Sequence, residues 1–248
     1  MTKPFVLFDL GETLVDLGEL LACLARRISE GFPPLRAESG MLVRRWIMEA
    51  ARAMPRGDDD VFVTEFRVAS TTLGRLLREK GIAIEDEDAG LVLRGAWDAF
   101  ELRVHFCTGV SENWLAEVHR LTSGMAVVTD GDRENVSRLF QRLPLGKYFS
   151  VVVTSEDARA YKPNPKIYEA ALGALHAPPQ ESLFVSDLPL DLRGAAALGM
   201  ATALMGRPLD HRPSDLPTNA FLLSSPQELN GILDRFATIG RFEFPRED

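Results

Sequence analysis

An α/β fold with a doubly wound parallel sheet and a separate helical insertion is the architecture this sequence predicts. Three observations predict it. Short, continuous apolar runs recur, and each stops at polar or turn-forming residues. Helical patterns fill the stretches between the later runs. Residues from about 16 to 106 break that alternation and carry amphipathic stretches with no convincing strand. Unbroken apolar runs are the mark of parallel strands buried on both faces. Their alternation with helices builds βαβ units.

The first run, Phe5-Val6-Leu7-Phe8, is stopped by Asp9 and Gly11. The helical insertion follows. Residues 19–29 place Leu20, Leu21, Leu24 and Ile28 on one face, and residues 41–54 set Leu42, Trp46 and Met54 among Arg44, Arg45, Glu49 and Arg52. Stretches 61–80 and 88–106 are similar. Breakers part them: Pro33-Pro34, Pro55-Arg56-Gly57, and Gly81 ahead of the acidic run Glu85-Asp86-Glu87-Asp88, which reads as a solvated helix entry. The strand rhythm then resumes. Residues 125–129 end at Asp130-Gly131, 149–154 at Ser155-Glu156-Asp157, 183–186 at Asp187, and 201–205 at Gly206-Arg207-Pro208. Helices are expected over 133–143, 165–175, 191–198 before Gly199, and 226–236 after the cap signal Ser224-Ser225. The expected organisation is a core of 1–15 and 107–248 around a helical domain of 16–106.

Composition narrows the function classes. The chain has 248 residues, with 28 Lys+Arg against 36 Asp+Glu and a net charge of −8. An acidic balance argues against nucleic acid or an anionic membrane as the main partner. Cys23 and Cys107 are too few for a disulfide scaffold or a four-cysteine zinc site and suit a reducing compartment. No apolar run approaches the roughly 20 residues needed to span a bilayer. The opening residues lack a signal peptide's apolar stretch, so a cytoplasmic protein is expected.

In an open α/β sheet, ligands bind beyond the carboxyl ends of the strands. Those ends carry Asp9 with Gly11-Glu12-Thr13, then Thr129-Asp130, the loop to Lys162-Pro163, and Asp187 with Asp191. Carboxylates gathered in one cleft repel one another unless a cation is present. An all-oxygen set without histidine suits Mg²⁺ rather than zinc, and the lysine can hold an anion. The residues thus point to metal-assisted phosphate chemistry with a carboxylate as a candidate nucleophile.

These residues resemble the four ordered motifs of the haloacid dehalogenase superfamily: Asp9-Leu10-Gly11-Glu12-Thr13-Leu14 after an apolar strand, Thr129 ending a second, Lys162-Pro163 before a helix, and Ser186-Asp187 with Asp191. The stretch Tyr161-Lys162-Pro163-Asn164-Pro165-Lys166-Ile167-Tyr168 is an especially close likeness, and the insertion is similar to that superfamily's first-type (C1) helical cap. The resemblance implies a hydrolase, and for a phosphatase-type member it implies these roles. Asp9 becomes an aspartyl-phosphate. Mg²⁺ is bound by Asp9, Asp187 and the Gly11 carbonyl, with Asp191 beside or behind them. Thr129 hydrogen-bonds the transferring phosphoryl group, and Lys162 offsets its charge and that of Asp9. The substrate would be a small phosphorylated metabolite.

One departure matters. Phosphatases of the family usually carry a second Asp two residues after the nucleophile, and here Gly11 stands there. Glu12 either substitutes as acid and base or points to solvent. The dehalogenase branch lacks an acid at the position of Asp187, so Asp187 favours phosphate over carbon–halogen hydrolysis. Two rival readings stand beside the phosphatase: a metal-independent 2-haloacid dehalogenase, and a catalytically degenerate relative that binds a phospho-ligand or a partner. Plainer readings exist for single residues. Asp9 and Asp191 are also good helix caps, Thr129 a strand-end hydroxyl, and Lys162 a loop lysine. Asp130 and Asp132 read as turn formers, Trp46 and Trp97 as packing, Arg44 and Arg45 as a solvated face. His105, His119, His176 and His211 are assigned no chemistry.

Overall fold

The computed structural model describes residues 2–57, 60–206, 213–218 and 220–244. Arg207, Pro208 and His211, named above, lie outside the described residues. In chain order the elements are β1 (Phe5–Phe8), α1 (Gly18–Gly31), α2 (Ser39–Ala53), α3 (Glu65–Glu79), α4 (Asp86–Glu101), α5 (Glu112–Leu121), β2 (Gly124–Thr129), α6 (Arg133–Arg142), β3 (Val151–Thr154), α7 (Ser155–Ala158), α8 (Pro165–Leu175), β4 (Ser182–Ser186), α9 (Pro189–Ala197), β5 (Ala201–Met205), β6 (Ala220–Leu223) and α10 (Glu228–Ile239). The chain divides into two compact units. One comprises Met1–Asp16, His105–Arg133 and Leu143–Asp248, and the other comprises Leu17–Val104 with Glu134–Arg142.

The first unit is built on one sheet of order β3-β2-β1-β4-β5-β6, parallel at every pairing. This is the doubly wound arrangement the apolar runs predict. The strand order reverses between β1 and β4, and a crevice opens at such a switch point. Alternate side chains serve opposite faces. Leu7, Ala126, Val128, Phe184 and Leu204 pack with Ile167, Tyr168 and Ala171 of α8 and with Leu192 and Ala195 of α9. Phe8 turns to the other face and meets Trp114 of α5 edge-on, with ring centroids 5.9 Å apart. The Trp114 indole in turn donates to the Pro226 carbonyl at 3.0 Å, just ahead of α10. Each such fully buried large side chain contributes roughly 1.5–3 kcal/mol.

The structure adds to the sequence expectation and shifts its bounds in places. A sixth strand, β6, extends the sheet beyond the five apolar runs. A helix, α5, occupies Glu112–Leu121; the sequence reading places His119 in a helix without giving that helix bounds. The expected helix over 88–106 stops at Glu101, because the residues beyond it are drawn into pairing: Val15 bridges Phe106, the Cys107 amide donates to the Leu14 carbonyl at 2.9 Å, and the Asp16 amide to the His105 carbonyl at 3.2 Å.

The second unit is helical. Within it α1 packs on α2 and α4, and α3 on α2 and α4. Leu24, Ile28, Leu73, Leu76, Leu77 and Phe100 are sealed inside. Trp46 is packing, as its plainer reading has it: it is buried, and its indole donates to the Ala69 carbonyl at 2.9 Å. Among the described residues no helix is long and apolar enough to cross a membrane.

Candidate active site

Asp9 follows β1 directly, and its amide still donates to the Val185 carbonyl of β4 at 2.9 Å. Asp9 therefore stands at the switch point, next to the end of β4, whose following residue is Asp187. The chain then turns tightly. The Leu10 carbonyl accepts both the Leu14 and Val15 amides at 2.9 Å. Within this turn Glu12 adopts φ 54°, a left-handed conformation that costs a non-glycine residue roughly 1–2 kcal/mol. Its amide is held by the Val15 carbonyl at 2.8 Å.

Thr13 links the two acids. Its hydroxyl lies 3.2 Å from Asp9 Oδ2 and 3.4 Å from Asp187 Oδ1, and accepts the Asp187 amide at 3.1 Å. A hydroxyl has one proton, so it satisfies one carboxylate at a time. The electrostatics follow. Burial pushes Asp9 up to about 6, with Lys162 opposing the rise and Asp191 adding to it. Burial pushes Asp187 up to about 7, with Asp9 and Asp191 adding to it.

Lys162 arrives from the loop before α8 and is almost sealed, at 2% exposure. Its Nζ donates to Asp9 Oδ1 and to Asp191 Oδ2 at 2.7 Å. Burial works against the ammonium charge, but Asp191, Asp9 and Asp130 outweigh it and hold the lysine well above its ordinary value. The loop is fixed from behind: Asp130 Oδ1 accepts the Lys162 amide at 2.8 Å, and Ser155 Oγ donates to the Asp130 carbonyl at 2.8 Å. Gly194 on α9 completes the fit, since a Cβ there would stand 2.7 Å from the Tyr168 hydroxyl and 2.8 Å from the Pro163 carbonyl.

Asp9, Thr13, Lys162, Asp187 and Asp191 are thus brought into one network, buried except at the half-buried Asp187. Asp191 is committed within it: Oδ2 accepts both Lys162 and Ser186 Oγ, the latter at 3.0 Å. Thr129 ends β2, buried, with its Oγ1 accepting the Gly131 amide at 3.2 Å. Glu12 lines a cavity beside the loop together with Thr13 and contributes to the rise at Asp187. Gly11 bridges Val15 in the turn. Sequence reasoning did not assign roles to the Thr13 hydroxyl, Ser186 or the Asp130 side chain. The only local signals for them are a hydroxyl or acid next to a strand-end acid.

The set suits a divalent cation. The buried Asp9 and the half-buried Asp187, bridged by one hydroxyl, gain from a shared positive charge, and every donor is oxygen. Among the described residues no three His, Cys, Asp or Glu side chains form a ready cage. Mg²⁺ takes oxygen donors and binds through one or two carboxylates, with waters and substrate phosphate in the rest of its shell.

The network stands at the switch point of a doubly wound sheet, with the buried Asp9 carboxylate gripped by Lys162. The profile of the haloacid dehalogenase-like hydrolases matches residues 70–205, and the chain belongs to this family. It is 26% identical over 238 residues to phosphoglycolate phosphatase 1 of Pseudomonas aeruginosa, covering 94% of this chain and 81% of that protein. It is 33% identical over 98 residues to the pyrophosphatase PpaX of Halalkalibacterium halodurans, covering 40% of this chain and 45% of that one. Among solved structures, the L-2-haloacid dehalogenase of Xanthobacter autotrophicus superposes with TM-score 0.76 at 18% identity, over 95% of this chain and 99% of that one. The putative HAD-hydrolase YfnB of Bacillus subtilis, bound to magnesium, does so with TM-score 0.73 at 17% identity, over 94% and 100%. These two likenesses concern the fold.

Proposed function

We propose that this hydrolase is a Mg²⁺-dependent phosphomonoesterase that acts on a small phosphorylated metabolite through an aspartyl-phosphate on Asp9. The observation that carries the reading is Asp9 itself: buried at the switch point, gripped by Lys162, and joined through Thr13 to a second acid, Asp187. The phosphatases among its relatives, alike over nearly the whole chain, support it. Residues 1–15 and 107–248 carry the chemistry in this reading, and the helical insertion 16–106 serves as the cap.

Asp9 attacks phosphorus, the bond from phosphorus to the alcohol oxygen breaks, and that oxygen takes a proton from Glu12. Water then attacks the phosphoryl group on Asp9, Glu12 takes back a proton, and Asp9 and phosphate part. Lys162 offsets the charge gathered on Asp9 and the phosphoryl oxygens, and Thr129 donates to one of them. Asp191 holds Lys162 in place. Asp9, Asp187 and the Gly11 carbonyl would hold Mg²⁺, which when bound adds positive charge at the transferring group. The test is phosphate release from a panel of phosphomonoesters with Mg²⁺ and with EDTA, beside halide release from 2-chloropropionate. EDTA-insensitive halide release with no phosphate release would overturn the proposal.

Two predictions follow from the geometry. Glu12→Gln is expected to slow turnover of alkyl phosphates by ~10²–10⁴-fold, the usual worth of a general acid–base. An aryl phosphate, whose leaving group needs little protonation, should still give a rapid first turnover. Rapid-quench measurement of the burst separates the two, and undiminished alkyl turnover removes Glu12 from the mechanism.

The second concerns Mg²⁺ and pH. Asp9 and Asp187 hold protons up to about 6 and about 7 in the folded chain, against a usual value of 3.8. Without metal, the stability they contribute is present at low pH and lost as pH rises from about 4 through 7. Mg²⁺ binds the ionised pair, so its effect on the melting temperature should be small at pH 5 and large at pH 8. At a hundred times Kd it is worth about 2.7 kcal/mol. A melting shift equal at the two pH values would refute the assigned ligands.

A further inference from the structure

β2 and β3 end level, with Thr129 paired to Thr154. Two arms of the site leave from these ends, both within the first unit. One is the turn from Thr129 to Arg133, the residue that opens α6. The other runs through the single turn of α7 to Lys162. Three consecutive residues of α7 hold the first arm. Ser155, fully buried, donates from Oγ to the Asp130 carbonyl at 2.8 Å. Glu156 Oε2 accepts the Arg133 amide at 2.6 Å, one of the first-turn amides that a helix cannot satisfy by itself. Asp157 Oδ1 accepts the Arg133 guanidinium, from Nε at 3.0 Å and from Nη2.

Asp157 divides its carboxylate between two tasks. Its other oxygen, Oδ2, accepts the Thr154 amide at 3.0 Å and the Thr154 hydroxyl at 2.7 Å. Thr154 Oγ1 accepts the Asp157 amide in return at 3.2 Å, which closes a capping box on the end of β3. Burial works against the Asp157 charge, but the hydrogen bonds from Thr154 and Arg133 outweigh it and hold the carboxyl below its ordinary value. One ionised side chain thus joins the end of β3 to the far end of the Thr129 turn. The Gly131 amide donates to Thr129 Oγ1 at 3.2 Å from within that turn, so the aim of the Thr129 hydroxyl depends on where the turn is held. The Arg133–Asp157 pair is exposed, at 64% and 35% of the two side chains, and an exposed pair adds little to stability.

We propose that Asp157 is a positioning residue for phosphoryl transfer, which through Arg133 keeps the Thr129 turn in register with the Lys162 loop. The inference rests on the phosphomonoesterase reading, in which Thr129 and Lys162 meet the phosphoryl oxygens, and it adds a residue that acts through another. Asp157→Asn isolates the effect. Asn keeps an acceptor for Thr154, but its amide turns an N–H₂ group toward a guanidinium that has only donors.

The test is kcat/KM for p-nitrophenyl phosphate with Mg²⁺, in the full chain and its Asp157→Asn, Thr129→Val and doubly substituted variants, each beside a thermal melt. Displacing a reacting group by about 1 Å can cost on the order of 10²-fold, so Asp157→Asn should lower kcat/KM by about tenfold. In the Thr129→Val background it should cost less than about twofold, because the hydroxyl it aims is gone. The melting temperature should fall by no more than about 3 °C, the worth of an exposed pair. Arg133→Met should reproduce the loss, and it carries the same cycle if Asp157→Asn does not fold. A loss under about twofold, or one of the same size with and without the Thr129 hydroxyl, would overturn the inference and leave the phosphomonoesterase reading intact. So would Thr129→Val at full activity. A melting drop well beyond that of an exposed pair would make Asp157 structural and overturn the inference too. Phosphate release from neither p-nitrophenyl phosphate nor any other ester by the unaltered chain would end that reading, and the inference with it.

Discussion

Asp9→Asn is expected to abolish phosphate release from every ester, with a loss on the order of 10⁴–10⁶-fold, the range seen when a covalent nucleophile is removed. The fold should survive. Lys162 keeps Asp191 at 2.7 Å, so its ammonium is not left alone. The substitution also removes a carboxylate whose ionised form burial disfavours, since Asp9 is pushed up to about 6. Above that pH, without Mg²⁺, the variant should melt no lower than the unaltered chain. Activity and thermal melting measured side by side check both halves. A loss below about a hundredfold, comparable to general acid–base help alone, would show that Asp9 is not the nucleophile. A collapsed fold would show that the site's acids are structural.

Lys162→Met carries the largest expected effect on stability. It strands Asp9 and Asp191 in a buried site where they shared one ammonium. Breaking a buried ion pair from one side costs about 3–5 kcal/mol. Adding Asp191→Asn removes one of the stranded charges and should return part of the loss, because the pair is coupled and not additive. Denaturant unfolding of the two single variants and the double gives the coupling directly. A Lys162→Met cost under about 1 kcal/mol, the worth of an exposed pair, would mean the lysine is not the keystone of the network.

The fold class is legible because each parallel strand in the middle of the sheet must be apolar on both faces, and that leaves an unbroken run in the sequence. Strand β6 escapes for a related reason. Ala220–Leu223 has the same short apolar design, but no helix separates it from β5 among the described residues, so a reading based on strand–helix alternation passes over it. The strand-end acids are equally legible, since a carboxylate just past an apolar run is a local signal. What binds them together is not local. Thr13 and Asp187 are brought together because β1 and β4 pair in register, and Asp130 reaches the Lys162 amide because β2 and β3 end level. Asp191 shows the limit: the motif places it near the acids, yet only the three-dimensional arrangement shows its Oδ2 turned to Lys162 and Ser186.

The position of β1 has a consequence for how the chain is made. Phe5 pairs with Gly124 on one side and Ser182 on the other, so the first strand to be synthesised lies next to two that are synthesised long after it. Until β4 has left the ribosome, this apolar strand lacks one of its two neighbours, while the Leu17–Val104 helices already have one another. Such distant pairings slow folding, and units generally fold as they emerge. The Leu17–Val104 helices are therefore expected to consolidate before the sheet is complete, and the Asp9 carboxylate to meet its partner acid only when β4 joins the sheet.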